Sequence, residues 1–203
     1  MGVADGPLHR EDLDPDPIVQ FEAWFAEAKG AVRQPEAITL ATADAHGVPS
    51  ARMVLLKGLD ERGFVFFTNY ESRKGAELAA NPHAALVVYW DQLNRQIRAE
   101  GPVERVSGDE SDRYFATRPR ASQLAAYASH QSAPLADRAE LERAVRDLET
   151  EYARRPVPRP AHWGGYRLSP QVIEFWQHRD SRLHDRFEYR RVQAQWHLER
   201  LAP

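Results

Sequence analysis

Ile38-Thr39-Leu40-Ala41-Thr42-Ala43, a Gly47-Val48-Pro49 turn, Arg52-Met53-Val54-Leu55-Leu56, an Asp60-Glu61-Arg62-Gly63 turn and Phe64-Val65-Phe66-Phe67-Thr68 follow one another in one stretch of the chain. These short apolar runs, separated by Gly, Pro and Asp, predict a meander of antiparallel strands. Toward the C-terminus, Ser72–Ala80 predicts a short helix that stops at Asn81-Pro82, because a proline pushes the residue before it out of the α region. Ala84–Trp90 and Gln96–Val106 then predict two further strands. Five strands so closely spaced predict a barrel.

The remaining elements frame that barrel. Helices are predicted over Asp109–Thr117 and Ala136–Arg154, the second with Leu141, Val145, Leu148 and Tyr152 on one face and prolines 156, 158 and 160 ending it. Late strands at Gly165–Leu168, Val172–Trp176, Arg186–Arg190 and Trp196–Leu201 can complete the sheet. Before the meander, Ile18, Phe21, Phe25 and Ala28 recur at helical spacing up to Gly30, with Trp24 flanking that face. Residues 1–17 crowd Asp12, Asp14, Pro15, Asp16 and Pro17 together and predict a flexible arm. The chain thus reads as a mainly β fold with flanking helices, one domain over residues 18–203 preceded by the arm.

Composition narrows the function. With 42% hydrophobic and 28% charged residues the chain has the balance of an ordinary globular domain, and no apolar run approaches the roughly 20 residues that span a bilayer. No membrane partner is expected, and the absence of a secretory leader pattern makes the cytoplasm the expected location. Zero cysteines exclude disulfides, thiolate metal ligands and cysteine nucleophiles. A formal net charge of -3 gives no support to nucleic-acid binding by counterion release.

Local clusters of cations carry the chemistry. Arg52 and Lys57 bracket an apolar strand, and strand alternation points them to opposite faces unless a bulge intervenes. Thr68-Asn69-Tyr70-Glu71-Ser72-Arg73-Lys74 runs from a strand end into a helix start, with Ser72 as N-cap, and offers a phosphate cradle that lacks the glycines of a Walker loop. Tyr114 and Arg118 stand one helical turn apart, with Pro119 stopping the helix and Ser122 close by, a grouping suited to a second phosphate. Each of these clusters taken alone also reads as a solvated strand or helix end. Trp176 is followed by Arg182, His184 and Arg186, which share one face of an extended segment while Asp185 points away. Like charges so close call for a counter-anion, and a ligand bearing phosphate or phenolate charge would supply it.

In this order, these residues resemble the pyridoxine 5'-phosphate oxidase family from about Asp16 to Pro203, including the terminal Arg200-Leu201-Ala202-Pro203. The resemblance implies an FMN-binding split β-barrel, homodimeric with FMN sites at the subunit interface. It also implies oxidation of pyridoxine or pyridoxamine 5'-phosphate by O2 to pyridoxal 5'-phosphate and hydrogen peroxide. It assigns Arg52, Thr68, Arg73 and Lys74 to the FMN phosphate and ribityl chain, and Met53, Val54, Leu55 and Phe67 to the flavin. Gln96, Gln131 and Ser132 are further FMN contacts, some across the interface, and Trp176 and Arg186 flank the isoalloxazine. Lys57, also counted among the FMN contacts, joins Tyr114, Arg118 and Ser122 in the substrate-phosphate clamp. Arg182 and His184 lie over the substrate ring as the catalytic pair.

Three departures stand out. Family members often carry an N-terminal Arg and Tyr that fold over the substrate, whereas this chain begins Met1-Gly2-Val3-Ala4-Asp5. Phe67 stands where many relatives have Tyr, and the spacer His178-Arg179-Asp180-Ser181 replaces a glycine-containing one. Two rival readings accompany the first: a same-fold flavin oxidase acting on another aromatic, as in phenazine biosynthesis, and a non-catalytic FMN or pyridoxal phosphate binding protein.

Overall fold

The computed structural model describes residues 6–203. The predicted meander is its centre: β1 (Ala37–Ala43), β2 (Pro49–Asp60) and β3 (Gly63–Asn69) pair antiparallel in sequence order. After helix α1 (Pro17–Ala31) and this meander come α2 (Arg73–Ala80), β4 (His83–Trp90) and β5 (Arg95–Arg105). Helices α3 (Gly108–Thr117), α4 (Arg120–Ala128) and α5 (Arg138–Glu151) follow, then β6 (Trp163–Leu168), β7 (Val172–Gln177), β8 (Asp185–Val192) and β9 (Gln195–Arg200).

The strand order β4-β1-β2-β3-β6-β5 closes on itself through a β4–β5 pairing, so six strands form a barrel. β5 is long enough to serve two neighbours. Its C-terminal end, Val103–Arg105, pairs with β6, whereas Arg95–Glu100 pairs with β7, and β8 and β9 extend the sheet beyond the barrel. The expected split barrel is therefore what forms. Its interior holds Leu40, Phe64, Phe66, Leu86 and Ile97, alternate residues of their strands, as a pleated sheet with one buried face requires.

Helix α1 closes one end of the barrel. The Asp16 carboxylate accepts the Ile18 N–H as its N-cap and Pro17 occupies the first turn. Phe21 meets Phe64 edge-on at 5.0 Å and Trp24 meets Phe175 at 5.1 Å. Trp24 is fully engaged in the core and Phe25 only partly, the reverse of the sequence expectation.

Residues 6–17 do not form the expected flexible arm. Leu8 and Leu13 are each only 7% exposed, and the Leu8 N–H donates to Asp185 Oδ2 at 3.0 Å. Arg10 donates to the Leu198 carbonyl at 2.9 Å, and Tyr189 donates to the Asp14 carbonyl at 2.6 Å. Two leucines and a set of partners on β8 and β9 order a segment whose composition alone argues against order. The part of the arm at residues 1–5 lies outside the described residues.

The fourth helix is also new. Proline 119 ends α3 as expected, yet it also serves as N-cap for Arg120–Ala128. Proline is tolerated at a helix start because the amide it lacks would have no partner there. Among the described residues no helix is long and apolar enough to cross a membrane.

Candidate active site

Strand β2 supplies the first wall of a cavity of about 920 Å3. Its pairing with β3 shifts register between Leu56 and Gly58, so Lys57 sits at an irregularity, and Arg52 and Lys57 line the same cavity despite their odd spacing. Fourteen of the expected residues converge there: Arg52, Met53, Val54, Leu55, Lys57, Phe67, Thr68, Arg73, Lys74, Tyr114, Arg118, Ser122, Gln131 and Ser132.

One end of the cavity is a network around Lys74. Its buried ammonium donates to Gln131 Oε1 at 2.8 Å, Thr68 Oγ1 at 3.1 Å and Ser72 Oγ at 3.2 Å. Ser72 in turn caps α2 by accepting the Gly75 N–H, and the Arg73 N–H donates to Ser132 Oγ at 3.2 Å. Burial brings the Lys74 ammonium down from its ordinary range to about 8; the Arg52 charge adds to this and Glu77 opposes it.

Glu77, not singled out in the sequence, organises the two arginines. It accepts from Arg73 Nε at 2.8 Å and Arg52 Nη2 at 3.1 Å, and hydroxyls of Ser50 and Thr42 also donate to it. Burial alone would raise the Glu77 pKa, but bonds from Ser50, Thr42, Arg73 and Arg52 overcome that and hold it at about 2. The Arg73-to-Glu77 spacing of four on a helix was the available signal.

The other end is aromatic and basic. Phe67 stacks on Tyr114 at 4.0 Å and on Trp163 at 5.5 Å, with nearly parallel planes. A Cβ on Gly165 would stand 2.8 Å from the Phe67 ring, so glycine there lets the ring lie close to β6. Arg118 lies over Trp163 at 4.6 Å, and its buried Nη1 has no hydrogen-bond partner. Arg118 is not on the helix as expected: α3 ends at Thr117, and Arg118 has extended φ/ψ of -71° and 145°, which turns it into the cavity beside Tyr114. Trp163 was overlooked in the sequence because its strand start carries no charge to mark it.

Five expected residues lie outside this cavity. Gln96, Trp176 and Arg186 form one row across β5, β7 and β8, paired Gln96 to Trp176 and Trp176 to Arg186. Arg182, His184 and Arg186 do not share an extended face. Asp180–Arg182 is a helical turn closed by the Leu183 N–H to the Asp180 carbonyl at 3.1 Å, with Ser181 and Arg182 at φ of 56° and 62°. Arg186 needs no ligand as counter-anion, because Nε donates to the buried Glu174 Oε1 at 2.7 Å and Nη1 to the Ala202 carbonyl at 2.8 Å. Asp185 does point away, into the contact with Leu8 and Arg200.

A split barrel with two cationic clusters in one cavity and a sheet extension beyond the barrel is the arrangement of a protein that binds a phosphorylated, flat ligand. Residues 25–152 match the family model "Pyridoxamine 5'-phosphate oxidase", and residues 163–203 match "Pyridoxine 5'-phosphate oxidase C-terminal dimerisation region". Curated relatives named pyridoxine/pyridoxamine 5'-phosphate oxidase from Cyanothece sp. and Burkholderia vietnamiensis are each 56% identical, covering 97% of this chain and 92% and 93% of theirs. The chain belongs to the pyridoxamine 5'-phosphate oxidase family. Among solved structures, PhzG from Burkholderia lata 383 in complex with tetrahydrophenazine-1-carboxylic acid superposes with a TM-score of 0.92 at 35% identity, covering all of both chains. An FMN binding protein from Nostoc punctiforme related to pyridoxamine 5'-phosphate oxidase shares the fold, with a TM-score of 0.73 at 19% identity over 93% of this chain and 98% of that one.

FMN, the family's cofactor, fits the site. A volume of about 920 Å3 lies in the range of ligand pockets, about 300–1,000 Å3, and offers cations to a phosphate at one end and flat apolar surface alongside.

Proposed function

We propose that this chain oxidises pyridoxine 5'-phosphate and pyridoxamine 5'-phosphate to pyridoxal 5'-phosphate with O2 as acceptor. The observation that carries the reading is the second cationic cluster: half-buried Arg118, whose buried Nη1 has no partner among the described residues, lies in the same cavity as Tyr114, Ser122 and Lys57. A cofactor phosphate occupies only one cluster, so the other is suited to a substrate that carries its own.

Arg52, Arg73, Lys74 and Thr68 hold the FMN phosphate, with Gln131 and Ser132 beside them. Met53, Val54, Leu55 and Phe67 contact the ring system. FMN held there would supply the two-electron acceptor for the substrate carbon that becomes the aldehyde, with O2 reduced to hydrogen peroxide and, for the amine substrate, water hydrolysing the imine to release ammonia. Lys57, Tyr114, Arg118 and Ser122 clamp the substrate phosphate and so fix the pyridine ring against the flavin, which converts binding energy into orientation. Arg182 and His184 face the substrate ring and stabilise charge developing on it.

The five residues outside the cavity are supplied by a second copy in a homodimer, so that Gln96, Trp176 and Arg186 of one protomer complete the cofactor site of the other. Support comes from the match of residues 163–203 to a dimerisation region.

The purified protein is expected to be yellow and to release peroxide when pyridoxine 5'-phosphate is added. A protein that takes up no FMN, or binds FMN but yields no peroxide with either phosphorylated substrate, contradicts the proposal. Arg182→Ala and His184→Ala are expected to lower kcat by roughly 100-fold while flavin content holds, consistent with loss of a group that orients substrate. Flavin loss with normal turnover of the remaining holoenzyme would place these residues at the cofactor instead.

FMN affinity should depend on pH through Lys74. In the free protein the ammonium loses its proton near pH 8, whereas a bound phosphate dianion favours the charged form, so affinity falls as pH rises above about 8, by up to roughly tenfold per unit. The same group affects folding with the opposite sign. Between about 8 and 10.5 the unfolded chain binds more protons at this lysine, so its unfavourable contribution to stability is relieved as pH rises. Flavin-quenching titrations across this window should show the fall, and Lys74→Met should abolish it.

A further inference from the structure

We propose that His178 and the backbone amide of Arg179 are positioning groups that hold neutral His184 as a hydrogen-bond donor through Nε2. The inference rests on the proposed function, in which His184 faces the substrate ring, and it specifies what that imidazole offers. A peptide N–H can only donate. The Arg179 N–H lies 3.1 Å from His184 Nδ1, so Nδ1 supplies a lone pair and the proton of the neutral ring sits on Nε2.

The contact exists because the chain doubles back between Arg179 and His184. Ser181 and Arg182 both adopt the left-handed region, at φ of 56° and 62°, a conformation that persists in non-glycine residues when the surroundings enforce it. Both ends of the turn are anchored. The His178 N–H donates to the Asn94 carbonyl at 2.8 Å, and the buried Asp185 carboxylate accepts from the Leu8 N–H and pairs with Arg200.

Two rings then confine the imidazole. The Trp176 ring centroid stands 4.6 Å from that of His184 and the His178 centroid 5.1 Å, both tilted against it. Rotation about the His184 Cβ–Cγ bond, which would carry Nδ1 away from the Arg179 amide, runs against these neighbours. A ring so held presents N–H to an acceptor on the substrate, such as a phenolate oxygen on an aromatic ring. Nδ1 cannot take a proton without losing its amide, which suits His184 to stabilising developing negative charge and not to general-base work.

The test uses FMN-loaded protein labelled with 15N-histidine, in alkaline buffer, with the His184 signals assigned by their loss in His184→Gln. A pyridine-like Nδ1 and a pyrrole-like Nε2 are expected; the reverse pattern, or an even mixture, overturns the assignment. In His178→Ala the pattern should shift toward a mixture and kcat should fall about tenfold with KM and flavin content near wild type, as expected for a misoriented group. His178→Phe should restore most of both. An alanine variant with wild-type kcat and an unchanged nitrogen pattern removes His178 from the account. The nitrogen spectra do not depend on turnover, so an inactive wild-type protein would count against the proposed function and leave this assignment to be decided by the spectra.

Discussion

Arg118→Ala is expected to raise KM for pyridoxine 5'-phosphate by roughly 10- to 150-fold, the equivalent of one charge-assisted hydrogen bond of about 1.5–3 kcal/mol. Arg118 Nη1 is the one buried guanidinium nitrogen in the cavity that lacks a partner among the described residues. A buried donor without an acceptor is costly, and burial accordingly lowers the Arg118 pKa, with Tyr114 opposing. The phosphate removes that cost on binding, and this differential is what the substitution deletes. Turnover of unphosphorylated pyridoxine, which cannot use the contact, should change little. Steady-state kinetics with both substrates check this, and equal losses for the two would show that Arg118 acts on the fold of the α3–α4 corner instead of on the phosphate.

Glu77→Ala should destabilise the FMN-free protein by about 3 kcal/mol, because the partly buried Arg52 guanidinium and the Ser50 and Thr42 hydroxyls lose one shared, buried acceptor. For a chain of this size that corresponds to a fall in Tm of about 6–12 °C. Glu77 is 6% exposed at its side chain, and Arg52, Arg73, Ser50 and Thr42 all lose their acceptor together. FMN should recover part of the loss, since its phosphate brings a replacement anion to the same guanidinium groups. Calorimetry with and without FMN measures both quantities. An equal fall in Tm for the two forms would separate Glu77 from the phosphate site.

The sequence was most legible where period and punctuation agree. Alternation in Ile38–Ala43 and the short apolar run Phe64–Thr68, with glycine turns between, located β1 and β3 closely, and the Ser72 cap located α2. The cavity residues were also legible, since cations are rare on apolar strands and stand out. What eluded the sequence depends on partners distant along the chain. The segment around Leu8 is ordered by β8 and β9, more than 170 residues away, and composition carries no trace of that contact. Arg186 finds its counter-anion in Glu174, on the paired strand, where an isolated reading of the cations called for a ligand. The Asp180–Arg182 turn breaks an alternation that would have placed three cations on one face. Proline 119 was legible as a stop but not as the start of α4. In each case a pairing or a backbone reversal overrode a local rule.

Relatives named pyridoxine/pyridoxamine 5'-phosphate oxidase at 56% identity, and a complex with tetrahydrophenazine-1-carboxylic acid that matches the whole chain at 35%, set two substrate classes against each other. Oxygen consumption by the FMN-loaded protein, compared between pyridoxine 5'-phosphate, pyridoxine and tetrahydrophenazine-1-carboxylic acid, distinguishes them directly. The account predicts kcat/KM for the phosphorylated pyridine at least about 100-fold above the other two, from two or more charge-assisted contacts to the phosphate. A higher value for the phenazine, or equal values with and without the phosphate, would contradict it.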